Sequence, residues 1–291
     1  MTGPDVVRPM APADVEAAGA VWNEAFAEMR VRRGFPSHPV DGQRAAGTEK
    51  RLQYFLASDP EGSWVAVDGD GTVVGVAQAL RRGRLWVLSM LAVAVACQGR
   101  GIGRLLLDAG LGYAEPDDTG LILSSADPRA MRRYVAAGFA LHPVVAAAGT
   151  VRRERIAVAQ GVREGSAADL DLTAEVDGHV RGAARVADIT HLLDDGAGML
   201  VVEGRGYAVA RGSQPVMVAA LDVSAARDLL AATLTSGPPD QEVEVGWLSG
   251  DQQWAVEVVV GAGLELRLSG AIMVRGKDRP FSPYIANGAF G

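Results

Sequence analysis

The sequence predicts an α/β protein with mixed sheets, divided into two domains in which a central sheet is flanked by helices. Three observations carry this. Residues 85–114 read as an apolar strand, a glycine-rich turn and an amphipathic helix in direct succession. Strand-like and helix-like runs alternate along the chain instead of separating into blocks, as a sheet covered by helices requires. At 291 residues the chain suits two domains of about 145 residues each, and its second half repeats the order of the first in outline.

Taken in order, residues 6–10 form a first strand. A helix opens at Ala13 and Asp14 and runs to about Arg30, because Val15, Ala18, Val21, Trp22, Ala25, Phe26 and Met29 recur at three and four. Residues 31–47 carry Gly34, Pro36, Pro39 and Gly42 and read as a loop, followed by a helix over 48–57. Strands 63–67 and 72–80 make a hairpin across Asp68-Gly-Asp-Gly71. The strand 85–93, a helix from Gly103 to about Ala114, a strand 120–123 and a helix opened by Asp127 and Pro128 complete the first half. Asp127 suits an N-cap and Pro128 the first helical position.

Residues 152–188 are polar, with the run Asp177-Gly-His-Val-Arg181-Gly182, and are expected to form a solvated connection. Beyond them the order returns: hairpin strands 199–202 and 207–210, a central strand 215–223, a helix 224–234, a strand 242–248 and a helix 251–261. GDQQWAVEVVVGAGL parallels ADPRAMRRYVAAGF, acid, apolar helix, glycine, large apolar residue, which sets the domains at 1–148 and 149–291.

The chemistry concentrates in residues 95–109, VACQGRGIGRLLLDA. A strand, a short glycine turn and a helix place main-chain N–H groups at the positive end of a helix dipole, where they hold an anion such as a phosphate. A Walker A loop needs Lys and Ser or Thr after its last glycine, but Arg104 and Leu105 follow Gly103. A dinucleotide fingerprint started at Gly99 or Gly101 needs a small residue where Arg104 or Leu106 stands. What remains, Gln98-x-x-Gly101-x-Gly103 preceded by Leu91-Ala92-Val93, resembles motif A of the GNAT superfamily of N-acetyltransferases. Residues 124–139, SSADPRAMRRYVAAGF, resemble motif B of the same family at Asp127, Ala130, Tyr134, Gly138 and Phe139, with Asp127 in place of the usual Asn. The resemblance covers roughly 6–143, and the second half resembles a degenerate copy, giving two tandem GNAT-like domains.

This resemblance implies acetyl-coenzyme A (acetyl-CoA) as cofactor. Its diphosphate would be wrapped by the main chain of Gln98, Gly99, Arg100, Gly101, Ile102, Gly103 and Arg104, with Arg100 and Arg104 adding positive charge. In the family the pantetheine arm lies between strands four and five like an extra strand. Leu91, Ala92 and Val93 would line it here, the main chain of Leu91 and Val93 bonding it, and Ser125, Asp127 and Met131 would complete the cofactor set. Tyr134 would be the general acid that protonates the departing thiolate. The implied acceptor is a primary amine of a small molecule or peptide, attacking directly. Glu24, Glu28, His38 and Glu49 all remain open as its base, and Ser89 and Ser125 could relay the proton through water. The alternative is a non-catalytic acyl-CoA-binding or assembly protein, and a third option is an acyl group longer than acetyl.

In the second half, residues 221–227 (LDVSAAR) pass from strand to helix with no glycine loop, and Val258 or Val259 stands nearest to Tyr134 in the repeat. This half is expected not to bind cofactor, and to wall the acceptor pocket, to form a homodimer, or both. Trp247 and Trp254 are expected to be core or interface residues.

Composition narrows the classes. A formal charge of −7 argues against nucleic acid. The one cysteine, Cys97, and the scattered His38, His142, His179 and His191 offer no metal-ligand spacing, so no metal is expected. The longest apolar stretch, 85–97, is too short for a bilayer and the first residues lack a signal pattern, so no membrane association and a cytoplasmic location are expected.

Overall fold

The structure, a computed structural model, describes residues 6–32, 42–277 and 281–291. The chain divides into two compact units, Met1–Arg81 with Trp86–Gly120, and Arg82–Leu85 with Leu121–Gly291.

The first unit contains β1 (Val6–Pro9), α1 (Val15–Arg32), α2 (Gly42–Ser58), β2 (Ser63–Val67), β3 (Val73–Arg82), β4 (Leu85–Val93) and α3 (Ile102–Leu111). Its strands lie in chain order, with β1 and β3 each antiparallel to β2. On one face Val65, Val76, Met90 and Ala92 pack with Val15, Ala18, Val21 and Leu52 of α1 and α2. On the other, Ala66, Val74 and Ala77 pack with Ile102 and Leu106 of α3. The period-two alternation thus feeds two helix layers. Gly75 lets α3 rest directly on the sheet, since a Cβ there would lie 2.8 Å from Leu106 Cδ1.

The helix α2 starts at Gly42 and not at Thr48. Gln43, Arg44, Ala45 and Ala46 are good helix formers, and they carry the helix through Gly47 at a cost of about 1 kcal/mol. At the other end of the expected loop Val31 and Arg32 continue α1, and residues 33–41, including His38, lie outside the described residues.

The second unit contains most of β5 (Thr119–Ser125), then α4 (Pro128–Ala136), β6 (Ala140–Thr150), β7 (Val162–Glu164), α5 (Leu170–Arg181), α6 (Val186–Asp194) and β8 (Gly198–Val202). There follow β9 (Gly206–Arg211), β10 (Gln214–Ala220), α7 (Val223–Ser236), β11 (Glu242–Leu248), α8 (Gln253–Gly261), β12 (Glu265–Arg275) and β13 (Tyr284–Ile285). One set of strands runs β5-β12-β6-β11 and the other β13-β10-β9-β8-β7. Val218, Leu229, Leu230, Leu234, Val245, Trp254 and Val259 form the core between them.

Two long strands, β6 and β12, are absent from the sequence reading. Pro143 and Gly270 interrupt their alternation, and such residues argue against a strand interior. Gly270 sits beside a register shift, where a Cβ would come within 2.2 Å of the Ser124 carbonyl oxygen. The close approach of β12 to the end of β5 therefore requires glycine.

The repeat inferred from sequence is present in fine detail. β5-α4-β6 matches β11-α8-β12, and β6 pairs antiparallel with both β11 and β12. Each repeat's last strand lies beside the other's penultimate strand. Both helices end on a left-handed glycine, Gly138 (φ 87°) and Gly263 (φ 81°), and Phe139 N donates to Tyr134 O (3.1 Å) as Leu264 N does to Val259 O (3.0 Å). This places Val259, not Val258, opposite Tyr134 in the repeat. At the other end, Arg8 binds Asp14, whose carboxylate also accepts from Ala11 N, while Arg163 binds Asp169, which accepts from Ser166 N.

The solvated connection expected over 152–188 is overturned. About half of that stretch is β7, α5 and the start of α6, with Val176, Asp177, Arg181 and Arg185 buried. Its charges pair with one another, Arg185 Nε to Asp177 Oδ2 at 2.9 Å and Arg181 Nη1 to the same oxygen at 3.6 Å. Paired charges tolerate burial that lone ones do not. Among the described residues no helix is long and apolar enough to cross a membrane.

Candidate active site

Within the first unit, β4 delivers Leu91, Ala92 and Val93 to the mouth of the glycine turn. Ala92 packs toward α1 and α2, whereas Leu91 and Val93 lean on the cluster beneath α3. Ala94 N donates to Val74 O (2.9 Å) and Gln98 Nε2 to Val93 O (3.0 Å), so Gln98 clamps the turn to the strand end. Its side chain has a structural duty that the motif alone does not reveal.

Gly99 and Gly101 take left-handed φ values of 83° and 88°. An L side chain there would be strained, and nothing lies within 4 Å of where either Cβ would stand. Gly101 is the N-cap of α3 and supplies no side-chain cap. Ile102 and Gly103 occupy the first turn, where the helix has no carbonyl for their N–H groups, and Arg104 N closes on Gly101 O at 2.9 Å. Arg100 and Arg104 are exposed beside them. An open approach, a dipole's positive end and flanking arginines fit a diphosphate well.

Within the second unit, Ser125, Asp127, Met131 and Tyr134 follow one another along β5 and α4. Asp127 caps α4, accepting from Arg129 N (2.8 Å), and pairs with the Arg129 guanidinium (2.7 Å). Its own N–H donates to Ser125 Oγ at 3.5 Å, and its carbonyl accepts from Met131 N. The carboxylate that replaces the family's Asn is thus engaged by its own helix. Tyr134 is 6% exposed. Burial above all pushes its phenol up to about 12, with Asp127 adding to the rise and Arg133 opposing it. It is therefore protonated at neutral pH, the state a proton donor needs.

Two buried polar groups of the first unit escaped or were underweighted in sequence. Ser89, on β4, is 7% exposed and its Oγ has no partner. Arg51, on α2, lies 5.3 Å from the Trp22 ring centroid with its Nε unpartnered, and burial pushes its guanidinium down to about 10. The available signal was an arginine on the helical stripe of Thr48, Leu52 and Phe55, all of them buried. In the second unit the equivalent strand-to-helix turn is short: Asp222 caps α7 through Ala225 N (2.9 Å) and binds Arg205 (2.6 Å).

Residues 24–139 match the Acetyltransferase (GNAT) family. No curated protein matches the chain. Similar solved structures include a Pyrococcus horikoshii protein assigned as an acetyltransferase, at 17% identity and TM-score 0.77, covering 99% of this chain and 96% of that one. A GCN5-related N-acetyltransferase from Kribbella flavida aligns at 16% identity over 94% of this chain and 72% of its own, TM-score 0.59. A tandem GNAT protein from the clavulanic acid biosynthesis pathway aligns at 17% identity over 95% and 100%, TM-score 0.58. At such identities the likeness is one of fold. The chain has the mixed α/β fold of tandem GNAT proteins, and its residues 24–139 are similar to the GNAT acetyltransferases.

Proposed function

We propose that this protein transfers an acetyl group from acetyl-CoA to a primary amine of a small molecule or peptide, by direct attack of the amine. The observation that carries this reading is the glycine-capped first turn of α3, which has no side-chain cap and nothing within 4 Å of where a Cβ at Gly99 or Gly101 would stand. Acetyl-CoA supplies the acetyl group as a thioester. In this reading the main chain from Gln98 to Arg104 binds the diphosphate, and the Leu91 and Val93 main chain aligns the arm and polarises the thioester carbonyl. Tyr134 gives its proton to the thiolate as it leaves. The chain divides functionally at 148/149, the first domain holding the cofactor and the second lacking a loop for it.

Tyr134→Phe tests the acid. Thiol release from acetyl-CoA with an amine should slow about a hundredfold, with the affinity for coenzyme A almost unchanged. Equal loss of both would make Tyr134 a packing residue. A second reading, a non-catalytic acyl-CoA-binding protein, draws on Asp127, whose carboxylate is engaged by Arg129. It expects thermal stabilisation by acetyl-CoA with no thiol release across a broad set of amines.

A further inference from the structure

In the second unit a short peptide segment adds to the edge of a central strand. β13 adds to the edge of β10 in antiparallel register, Val218 facing Ile285 and Ala219 facing Tyr284. Ala220 N donates to Pro283 O (3.3 Å) and Asn287 Nδ2 to Val216 O (3.3 Å). On its other side the same segment is tied to β11 and the start of α8. Gln252 Nε2 donates to Phe281 O (2.7 Å), Ser282 Oγ donates to Asp251 O (2.8 Å), and Gly288 lies against the Trp247 indole. In the repeat, β10 and β11 correspond to β4 and β5, and Ala220 ends its strand as Val93 ends β4.

The far end of the segment is anchored by buried charge. Arg181 Nη2 donates to Phe290 O (3.2 Å), and Arg185 Nη1 and the Tyr284 hydroxyl both donate to the Gly291 carbonyl oxygen. Arg185 is 1% exposed and balanced by Asp177, which also accepts from the Tyr207 hydroxyl at 2.7 Å. A fully desolvated guanidinium costs several kcal/mol unless its donors are satisfied. The backbone carbonyls of the segment are part of what satisfies it.

We propose that residues 281–291 are a built-in occupant of the slot between β10 and β11, a peptide strand that fills the place of a carrier arm and closes the second half to acyl-CoA. The inference rests on the reading above that the arm runs beside β4 in the first half. It gives a physical reason for the missing glycine loop, since a slot occupied by the chain's own backbone has no diphosphate to grip.

Hydrogen exchange on the full chain, with and without saturating coenzyme A, tests it. Amides of 214–220 should be protected without ligand and unchanged by it, while those of 91–104 slow on addition. In Ile285→Pro, which removes a ladder N–H, exchange at 214–220 should speed by about tenfold or more, with the ligand response at 91–104 retained. Asn287→Ala should shift the same peptide in the same direction by less, and serves if Ile285→Pro fails to fold. Ligand-induced slowing at 214–220, or no acceleration in the variants, would overturn the plug. A wild type whose 91–104 amides ignore coenzyme A, but whose 214–220 amides answer to the variants, would overturn the proposed function and sustain the plug.

Discussion

The two strand-to-helix turns, β4 to α3 and β10 to α7, begin from the same topology and end with opposite electrostatics. The first is long, capped by Gly101 and open, and its helix offers N–H groups to an outside anion. The second is short and capped by Asp222, a carboxylate of the chain itself. Asp222 is held below the usual carboxylate range by the Arg205 guanidinium first and by the Ala225 amide. A helix N-terminus is an anion site only while the protein leaves it unfilled. One copy leaves it unfilled and the other does not.

The largest test of this contrast concerns the second copy's self-sufficiency. Arg185→Met leaves Asp177 short of its main partner in a dry interior, and urea unfolding should show a loss of about 3 kcal/mol or more. A loss below 1 kcal/mol would mean that the buried cluster does not hold the second half together. A smaller effect is expected from making the first turn like the second. Gly101→Asp puts a carboxylate at the cap and a side chain at φ 88°. With about 1–2 kcal/mol of strain and a repelled anion, a calorimetric titration should show coenzyme A binding at least about tenfold weaker. Unchanged affinity would remove α3 from the cofactor site.

The smallest effect concerns what the copies share. The Arg8 hydrogen bond holds Asp14 below its ordinary range, and Arg163 with the Ser166 amide holds Asp169 at about 2. Both folded values lie below the unfolded carboxylate value of about 3.9. Their stabilisation is therefore present above that value and is lost as pH falls through the folded ones. Asp14→Asn and Asp169→Asn should each flatten the fall of Tm between about pH 4 and 2. Retention of the full acid slope in both variants would show that these pairs are too solvated to matter.

Much of the fold was readable because its signals are local. Strand 85–93 and strand 242–248 coincide with β4 and β11, since a largely apolar run in the first and a polar–apolar alternation opening the second leave little choice. The glycine turn was readable for a similar reason: positive φ at Gly99 and Gly101 is a demand on a single residue type. The strands β6 and β12 were not, because Pro143 and Gly270 look like breakers until the partner strands are known. The helices α5 and α6 were not either, because Asp177, Arg181 and Arg185 read as a wet surface when taken one at a time.

The sequence by itself determined most elements of the first half, the repeat, the family resemblance and the place of the glycine turn. Each follows from periodicity or from a backbone angle that few residues tolerate. Only the tertiary structure decided that each repeat's last strand sits beside the other's penultimate one, that a run of charges forms a buried knot, and that residues 281–291 add to β10. These depend on partners that meet far along the chain, 71 residues apart for Asn287 with Val216 and 109 for Arg181 with Phe290, and the free energy of burying a charge or pairing an edge is set by the partner, not by the residue.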